Sequence, residues 1–226
     1  MTTEGAARLL RLLQLVSPSL PVGGFTYSQG IEWGVDSGWI RDLVDLEAWL
    51  CDLLQGPLAQ VDLPLLLRLQ AAAQTRDLVS LARWIDALLA SRETAELRAE
   101  ESNRGRALAD LLVAWGLEDA DLWRPQLARS QAAGFAFAAA AWDIEPGAAA
   151  TGYAWSWLEG LVLAAVKTVP LGQTQGQQAL LRLASQIPRV LDQVLALDDD
   201  AIGASSPALA IASCRHETQY TRLFRS

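Results

Sequence analysis

Leu43-Val44-Asp45-Leu46-Glu47-Ala48-Trp49-Leu50-Cys51-Asp52-Leu53-Leu54 is the stretch that decides the fold class. Leu43, Leu46, Trp49, Leu50, Leu53 and Leu54 recur at three- and four-residue spacing, which aligns them on one face of a helix with 3.6 residues per turn. The same period recurs through almost the whole chain. Leu9, Leu10, Leu12, Leu13 and Val16 mark a helix before it, and Leu78, Leu81, Trp84, Ile85 and Leu88 mark one after it. Gly56-Pro57 is expected to end the quoted helix, and the next begins near Asp62-Leu63-Pro64, where the Asp62 carboxylate can cap it. Glu93 to Trp115 reads as a long helix carrying Glu100 and Arg104 as a surface pair one turn apart, with Glu100-Glu101 on a solvated charged face. Residues Ser130 to Trp142 are apolar on nearly every side, which predicts a central helix. Gly147 to Lys167 follows, then Gln177 to Leu197 with Pro188 kinking or splitting it. Alternating β-branched runs are absent. The expectation is an all-α, single-domain helical bundle over residues 1–197, followed by an acidic linker and a flexible C-terminal tail over residues 198–226.

Composition narrows the function classes. The 226 residues are 51% hydrophobic and include nine Trp, enough for a sizeable core. A net charge of −8 argues against nucleic acid, which needs a basic surface. The longest apolar run, Ala132 to Trp142, is too short to span a bilayer, and no secretory signal is evident, so a cytoplasmic location without membrane contact is expected. Cys51 and Cys214 form no disulfide framework. His216 is the one histidine, so a histidine-rich metal site within one chain is impossible. Cys214 and His216 together are too few ligands, and His216-Glu217 lacks the second zincin histidine because Tyr220 stands in its place. Gly23-Gly24 lacks the lysine and spacing of a P-loop. No catalytic residue, metal ligand or cofactor-binding residue is expected.

Two segments stand apart from the helical pattern. Ser17-Pro-Ser-Leu-Pro-Val-Gly-Gly-Phe-Thr-Tyr-Ser-Gln-Gly-Ile-Glu32 combines two φ-fixing prolines with a glycine pair, and holds Phe25 and Tyr27 on a constrained loop. Its plainest reading is a turn that tucks Phe25 into the core; Tyr27 is either a core hydroxyl or an interface anchor. The second segment is Cys214-Arg-His-Glu-Thr-Gln-Tyr-Thr-Arg-Leu-Phe-Arg-Ser226, a basic end on an acidic chain after Asp198-Asp199-Asp200. Such an end suits an acidic patch on a partner, with Leu223 and Phe224 as apolar anchors.

These two segments, with Arg92-Glu93-Thr94-Ala95-Glu96-Leu97-Arg98, Asn103-Arg104-Gly105, Gly152-Tyr153-Ala154-Trp155 and Val169-Pro170-Leu171-Gly172-Gln173, resemble the urease accessory protein family UreF, in the family's order. The resemblance implies a non-enzymatic adaptor that bridges UreD (also called UreH) and the GTPase UreG, modulates the GTP cycle and supports nickel delivery to apo-urease. It also implies a homodimer, for which the apolar stretches Ala132–Trp142 and Gly147–Val166 are the candidate surface. Lys167, the sole lysine, sits at a predicted helix end, where a cation is favoured electrostatically; the resemblance adds a role in controlling the GTPase. Partner-binding roles are expected for Tyr27, Glu32, Lys167 and Gln173, and for Arg215, His216, Glu217, Tyr220, Arg222, Leu223, Phe224 and Arg225. The competing reading is a small helical enzyme or ligand-binding module with a site between helices, which a pocket of clustered, pKa-shifted polar groups would favour.

Overall fold

Ser130 caps the helix around which the others assemble. Its hydroxyl accepts the Ala133 N–H at 3.2 Å, and the run that follows is alanine, glycine and phenylalanine. With so little side-chain bulk the helix has no polar face to turn outward, and residues Gln131 to Ala139 are all buried. The computed structural model describes residues 2–225. Its α-helices are α1 (Thr3–Leu15), α2 (Ile31–Asp36), α3 (Leu43–Leu53), α4 (Leu63–Gln74), α5 (Leu78–Ala90), α6 (Ala95–Ala114), α7 (Ala120–Leu127), α8 (Gln131–Ala141), α9 (Pro146–Thr168), α10 (Gln173–Ala184), α11 (Ile187–Leu195) and α12 (Pro207–His216). No strand occurs among the described residues, so the all-α class holds.

The central helix α8 is flanked most extensively by α4 and α6, and α9 packs against α10, α11, α4 and α2. The α6–α8 approach is unusually close. A Cβ on Gly105 would lie 2.7 Å from the backbone N and C of Ser130, so only glycine admits the α8 N-terminus there.

Several boundaries differ from the sequence expectation, each for an identifiable reason. Gly56-Pro57 does break the quoted helix, at a kink where Gly56 is non-helical, but the chain coils again at once, so the segment Leu54–Asp62, π-helical in its hydrogen bonding, leads straight into α4. Pro57 removes one ladder donor, and Gly56 absorbs the misfit at φ −93°, ψ −105°. Burial of Leu58, Ala59 and Val61 keeps the segment coiled. Asp62 does not cap α4; it is in helical conformation, and its carboxylate turns to Arg92. Pro188 does split the late helix, separating α10 from α11.

The expected flexible tail is packed. Asp199 pairs with Arg68 at 2.9 Å, Gly203 donates its N–H to the Gln60 carbonyl at 3.1 Å, and Ser205 donates to Glu93 at 3.0 Å, so the acidic run is tied to the bundle. Beyond it, Ser206 caps α12, which lies on α2 and α6. The remaining residues form a strap that ends with Phe224 only 5% exposed. The local reason is that Leu209, Ala212 and His216 share one face of α12, giving the segment an apolar stripe of its own. The dimer surface suggested by sequence also needs correction, because residues Ala132 to Ala139 are interior to the single chain.

Gly105→Ala is expected to destabilise the protein by about 1–3 kcal/mol through forced separation of α6 and α8. Urea unfolding would measure it, and Gly160→Ala, where a Cβ meets nothing within 4 Å, is the control expected to leave stability unchanged or raised.

Candidate functional site

The loop from Ser17 to Gly30 is fixed at both ends. Thr26 donates its hydroxyl to the Gly23 carbonyl at 2.8 Å, closing a short 3-10 turn. Gly30 sits at φ +82°, and a Cβ there would come within 2.9 Å of Ala212, so this glycine serves both the left-handed turn and the seat of α12. Phe25 is not tucked into the core: it is 67% exposed at the tip of the loop. Tyr27 is the buried ring, and its hydroxyl accepts from Asn103 Nδ2 at 3.4 Å. The pattern of two aromatics two residues apart fits either assignment; the turn geometry decides it.

The strap meets this loop. The Arg225 N–H donates to the Thr26 carbonyl at 2.7 Å. Glu32, on the first turn of α2, accepts the Leu223 N–H at 2.5 Å and the Phe224 N–H at 2.9 Å. Its Oε2 also lies 3.1 Å from His216 Nε2. Glu96 of α6 approaches His216 Nδ1 at 2.8 Å and accepts from Arg222 at 2.8 Å. Lys167, in the last turn of α9 as the spacing predicted, places its ammonium 5.8 Å from the centre of the Phe224 ring, a cation–π contact. The fold therefore gathers Tyr27, Glu32, Lys167, His216, Arg222, Phe224 and Arg225 around one docked segment. Tyr220 and Leu223 project outward, Leu223 being 64% exposed. Gln173 opens α10 on the surface, and Arg215 and Glu217 are exposed on and just beyond α12; these three stand outside the hydrogen-bonded cluster. Cys214 is exposed while both His216 nitrogens are taken by carboxylates, so the two do not present a joint ligand pair.

Sequence reading missed a second cluster. Glu100 and Glu101 are buried, not solvated, and Glu100–Arg104 is an interior pair at 2.8 Å. Glu101 accepts from Arg92 at 3.1 Å, from the Ser130 hydroxyl at 2.8 Å and from the Ala132 N–H at 3.1 Å. Asp62 receives both terminal nitrogens of Arg92. Gln29 donates to Glu100 at 3.1 Å and accepts the Trp157 indole N–H at 2.9 Å. The signal was present: Leu97, Glu101, Gly105, Leu108 and Leu112 fall on one helical stripe, so Glu101 occupies a core position.

The electrostatics follow from this burial. Loss of hydration pushes the Asp62 carboxyl above its ordinary value, against the pull of Arg92. Glu101 feels the same desolvation, but Arg92 and the bonds from Ser130 and Ala132 outweigh it, and its carboxyl is held below the usual value. Burial also disfavours the Arg92 cation, yet the charges of Asp62 and Glu101 raise it well above its ordinary value. The Tyr153 hydroxyl is pushed well up, by burial and then by the neighbouring carboxylates. A cavity of about 50 Å³ adjoins Asp62, Arg92, Glu101 and Tyr153, and a groove of about 220 Å³ lies between loop, α1 and α9. Gln29, Glu100, Arg104 and Trp157 line both. The cluster is the kind of feature that a ligand-binding module would show. Its carboxylates, however, are occupied by arginine, hydroxyl and amide donors, which is the arrangement that makes buried charge tolerable.

The chain is thus an all-α protein with its interior ionic groups paired and a strap docked beside exposed Phe25, Tyr220 and Leu223. Comparison with known proteins gives the family. The family model described as UreF matches residues 40–184. The chain is 55% identical over 218 residues to the urease accessory protein UreF of Pseudomonas putida strain W619, covering 96% of this chain and 97% of that one. It is 52% identical over 222 residues to the protein of that name from Alcanivorax borkumensis, with the same coverage. Against the urease accessory protein UreF of Escherichia coli O157:H7 the identity is 46% over 217 residues, again spanning 96% and 97% of the two chains. The chain belongs to the UreF family of urease accessory proteins. No helix among the described residues is long and apolar enough to cross a membrane.

Replacing Arg92 with Met leaves Asp62 and Glu101 buried without a counter-charge, and an expected loss of about 3–5 kcal/mol follows. Asp62, already raised by burial, loses the pull that opposed it, and Glu101 loses its counter-charge. Protonation favours the fold, so the variant regains stability on acidification and loses it as pH rises. Urea titrations at mildly acidic and mildly alkaline pH check both the size and the sign.

Proposed function

We propose that the chain acts in urease maturation as a non-enzymatic adaptor, joining UreD/UreH to the GTPase UreG and shaping the GTP cycle so that nickel reaches apo-urease. In this reading it works in the cytoplasm as a homodimer. The observation that carries the reading is the convergence of loop, strap and Lys167. Loop and strap, 192 residues apart at the Phe224–Glu32 bond, meet at Glu32 and Thr26, and Lys167 joins them at the Phe224 ring. They leave Phe25, Tyr220 and Leu223 outward, and large rings with aliphatic anchors are the groups that dominate binding hot spots. Arg222 and Arg225 give the same surface the charge that an acidic partner patch would meet. Family membership supplies the urease context; the partners named are those that the sequence resemblance implied.

Two positions of the strap separate docking from partner binding. Leu223→Ala removes an exposed side chain, so UreD retention should fall by faster dissociation with little change in thermal stability. Phe224→Ala empties a buried seat and should lower both. Co-purification of the full chain and each variant with UreD and UreG, with thermal melts alongside, tests this; equal retention of UreD by Leu223→Ala and wild type argues against the strap as a partner surface.

Lys167→Ala removes a helix-end cation and one cation–π contact, an expected cost below about 1 kcal/mol each. The proposed effect is on the UreG-linked step. Urease activation in cells at matched expression reads it, and activation equal to wild type assigns Lys167 to the helix end alone.

A further inference from the structure

His216 is fully buried, at 0% exposure, and each of its ring nitrogens faces a carboxylate oxygen. A neutral imidazole has one N–H and one lone pair, so it satisfies only one such contact. The alternative, a proton on one of the carboxylates, is opposed by their other duties. Glu32 already accepts two strap N–H groups, and Glu96 already accepts from Arg222. Both Glu32 oxygens accept strap N–H groups, so a carboxylic O–H there would displace a donor, and a proton on Glu96 would cancel its ion pair with Arg222.

The charges around the ring lead to the same assignment. Glu32 faces it from α2 and Glu96 from α6, while Arg222 reaches Glu96 from the strap. On its own helix, Cys214 and Arg215 are exposed, as is Glu217 at the C-cap, and Lys167 of α9 is directed at Phe224. Two carboxylates, one guanidinium and one imidazolium sum to zero. With a neutral ring the buried group carries an uncompensated negative charge and a lone pair set against an oxygen, both of which are costly away from water.

We propose that His216, with a proton on both ring nitrogens, is a charge clamp that holds the C-terminal strap on the bundle and lets go of it when the ring loses one proton. The strap hangs on Glu32 through the Leu223 and Phe224 N–H groups, and Glu32 is held in place by the ring. Proton loss sets a bare ring nitrogen against Glu32 or Glu96, and the strap loses the fixed acceptor either of its Leu223 and Phe224 N–H groups or of Arg222. Rising pH, by taking the ring proton, therefore opens the clamp. The inference is independent of which partner meets the strap.

The test uses the full chain. One histidine in the sequence means that ¹⁵N-histidine labelling gives a single imidazole signal set. Ring protonation is followed by NMR from about pH 6 upward through the range in which histidine titrates, together with amide exchange of Leu223 and Phe224 corrected for the intrinsic rate. The expected result is two protonated ring nitrogens at about pH 6, then loss of one proton coinciding with loss of strap protection, which falls roughly tenfold per further pH unit for a one-proton linkage. Glu96→Gln supplies a side chain that can donate to a bare ring nitrogen. In that variant the strap should stay protected through the same range. A singly protonated ring beneath a fully protected strap in the wild-type chain overturns the proposal, as does an unchanged pH profile in Glu96→Gln.

Discussion

The Arg92 guanidinium stands between two buried carboxylates, and much of the bundle is positioned by that constraint. Asp62 comes from the end of the π-helical segment, Arg92 from the turn after α5 and Glu101 from the second turn of α6. Glu101 then reaches across to the Ser130 hydroxyl and the Ala132 N–H at the start of α8. One ionic group thus fixes the register of four elements. Apolar packing alone would let alanine-rich α8 slide, since small side chains interdigitate weakly and offer several near-equal positions. Directional bonds to its first turn remove that freedom, and Gly105 permits the short distance that the bonds require.

The same constraint explains the irregular passage from α3 to α4. An uninterrupted α-helix through residues 54–62 would rotate Asp62 by a different angle about the axis. The kink at Gly56-Pro57, where Gly56 leaves helical geometry, changes that phase, and Asp62 faces Arg92. The signal that breaks the first helix thus also sets the direction of the next.

How legible the molecule was depends on the kind of interaction. Periodicity carries the helical class, the central position of α8, the split at Pro188 and the helix-end location of Lys167, because each is set by local geometry. It fails where long-range partners decide. Glu100 and Glu101 look like a charged surface face until Arg92, Arg104 and Ser130 are brought to them. Cys214 to Arg225 look like a solvated end because the groups that hold them, Glu32, Glu96 and Thr26, lie more than 100 residues away. Phe25 and Tyr27 are chemically similar, and only the 3-10 turn settles which ring goes inward. The residues singled out around loop and strap nevertheless converge in space, apart from Gln173, Arg215 and Glu217, whose place on the surface no local pattern specifies.

The two charge clusters differ in what they can do. The Asp62–Arg92–Glu101 group uses a guanidinium, which keeps its proton at any physiological pH, and it locks helices that carry the core. The Glu32–His216–Glu96 group has the same plan, a cation between two carboxylates, but its cation is an imidazole and what it locks is a short strap with one buried apolar residue. A strap held by a wide apolar face would come away only with the helices beneath it. Held chiefly by hydrogen bonds to Glu32 and by the Phe224 ring, it can open as a unit of its own while the bundle stays folded. The chain therefore keeps its permanent cation in the interior and its titratable one beneath the segment that meets the surface loop, and this division of labour is what allows a rigid helical body to carry a detachable edge.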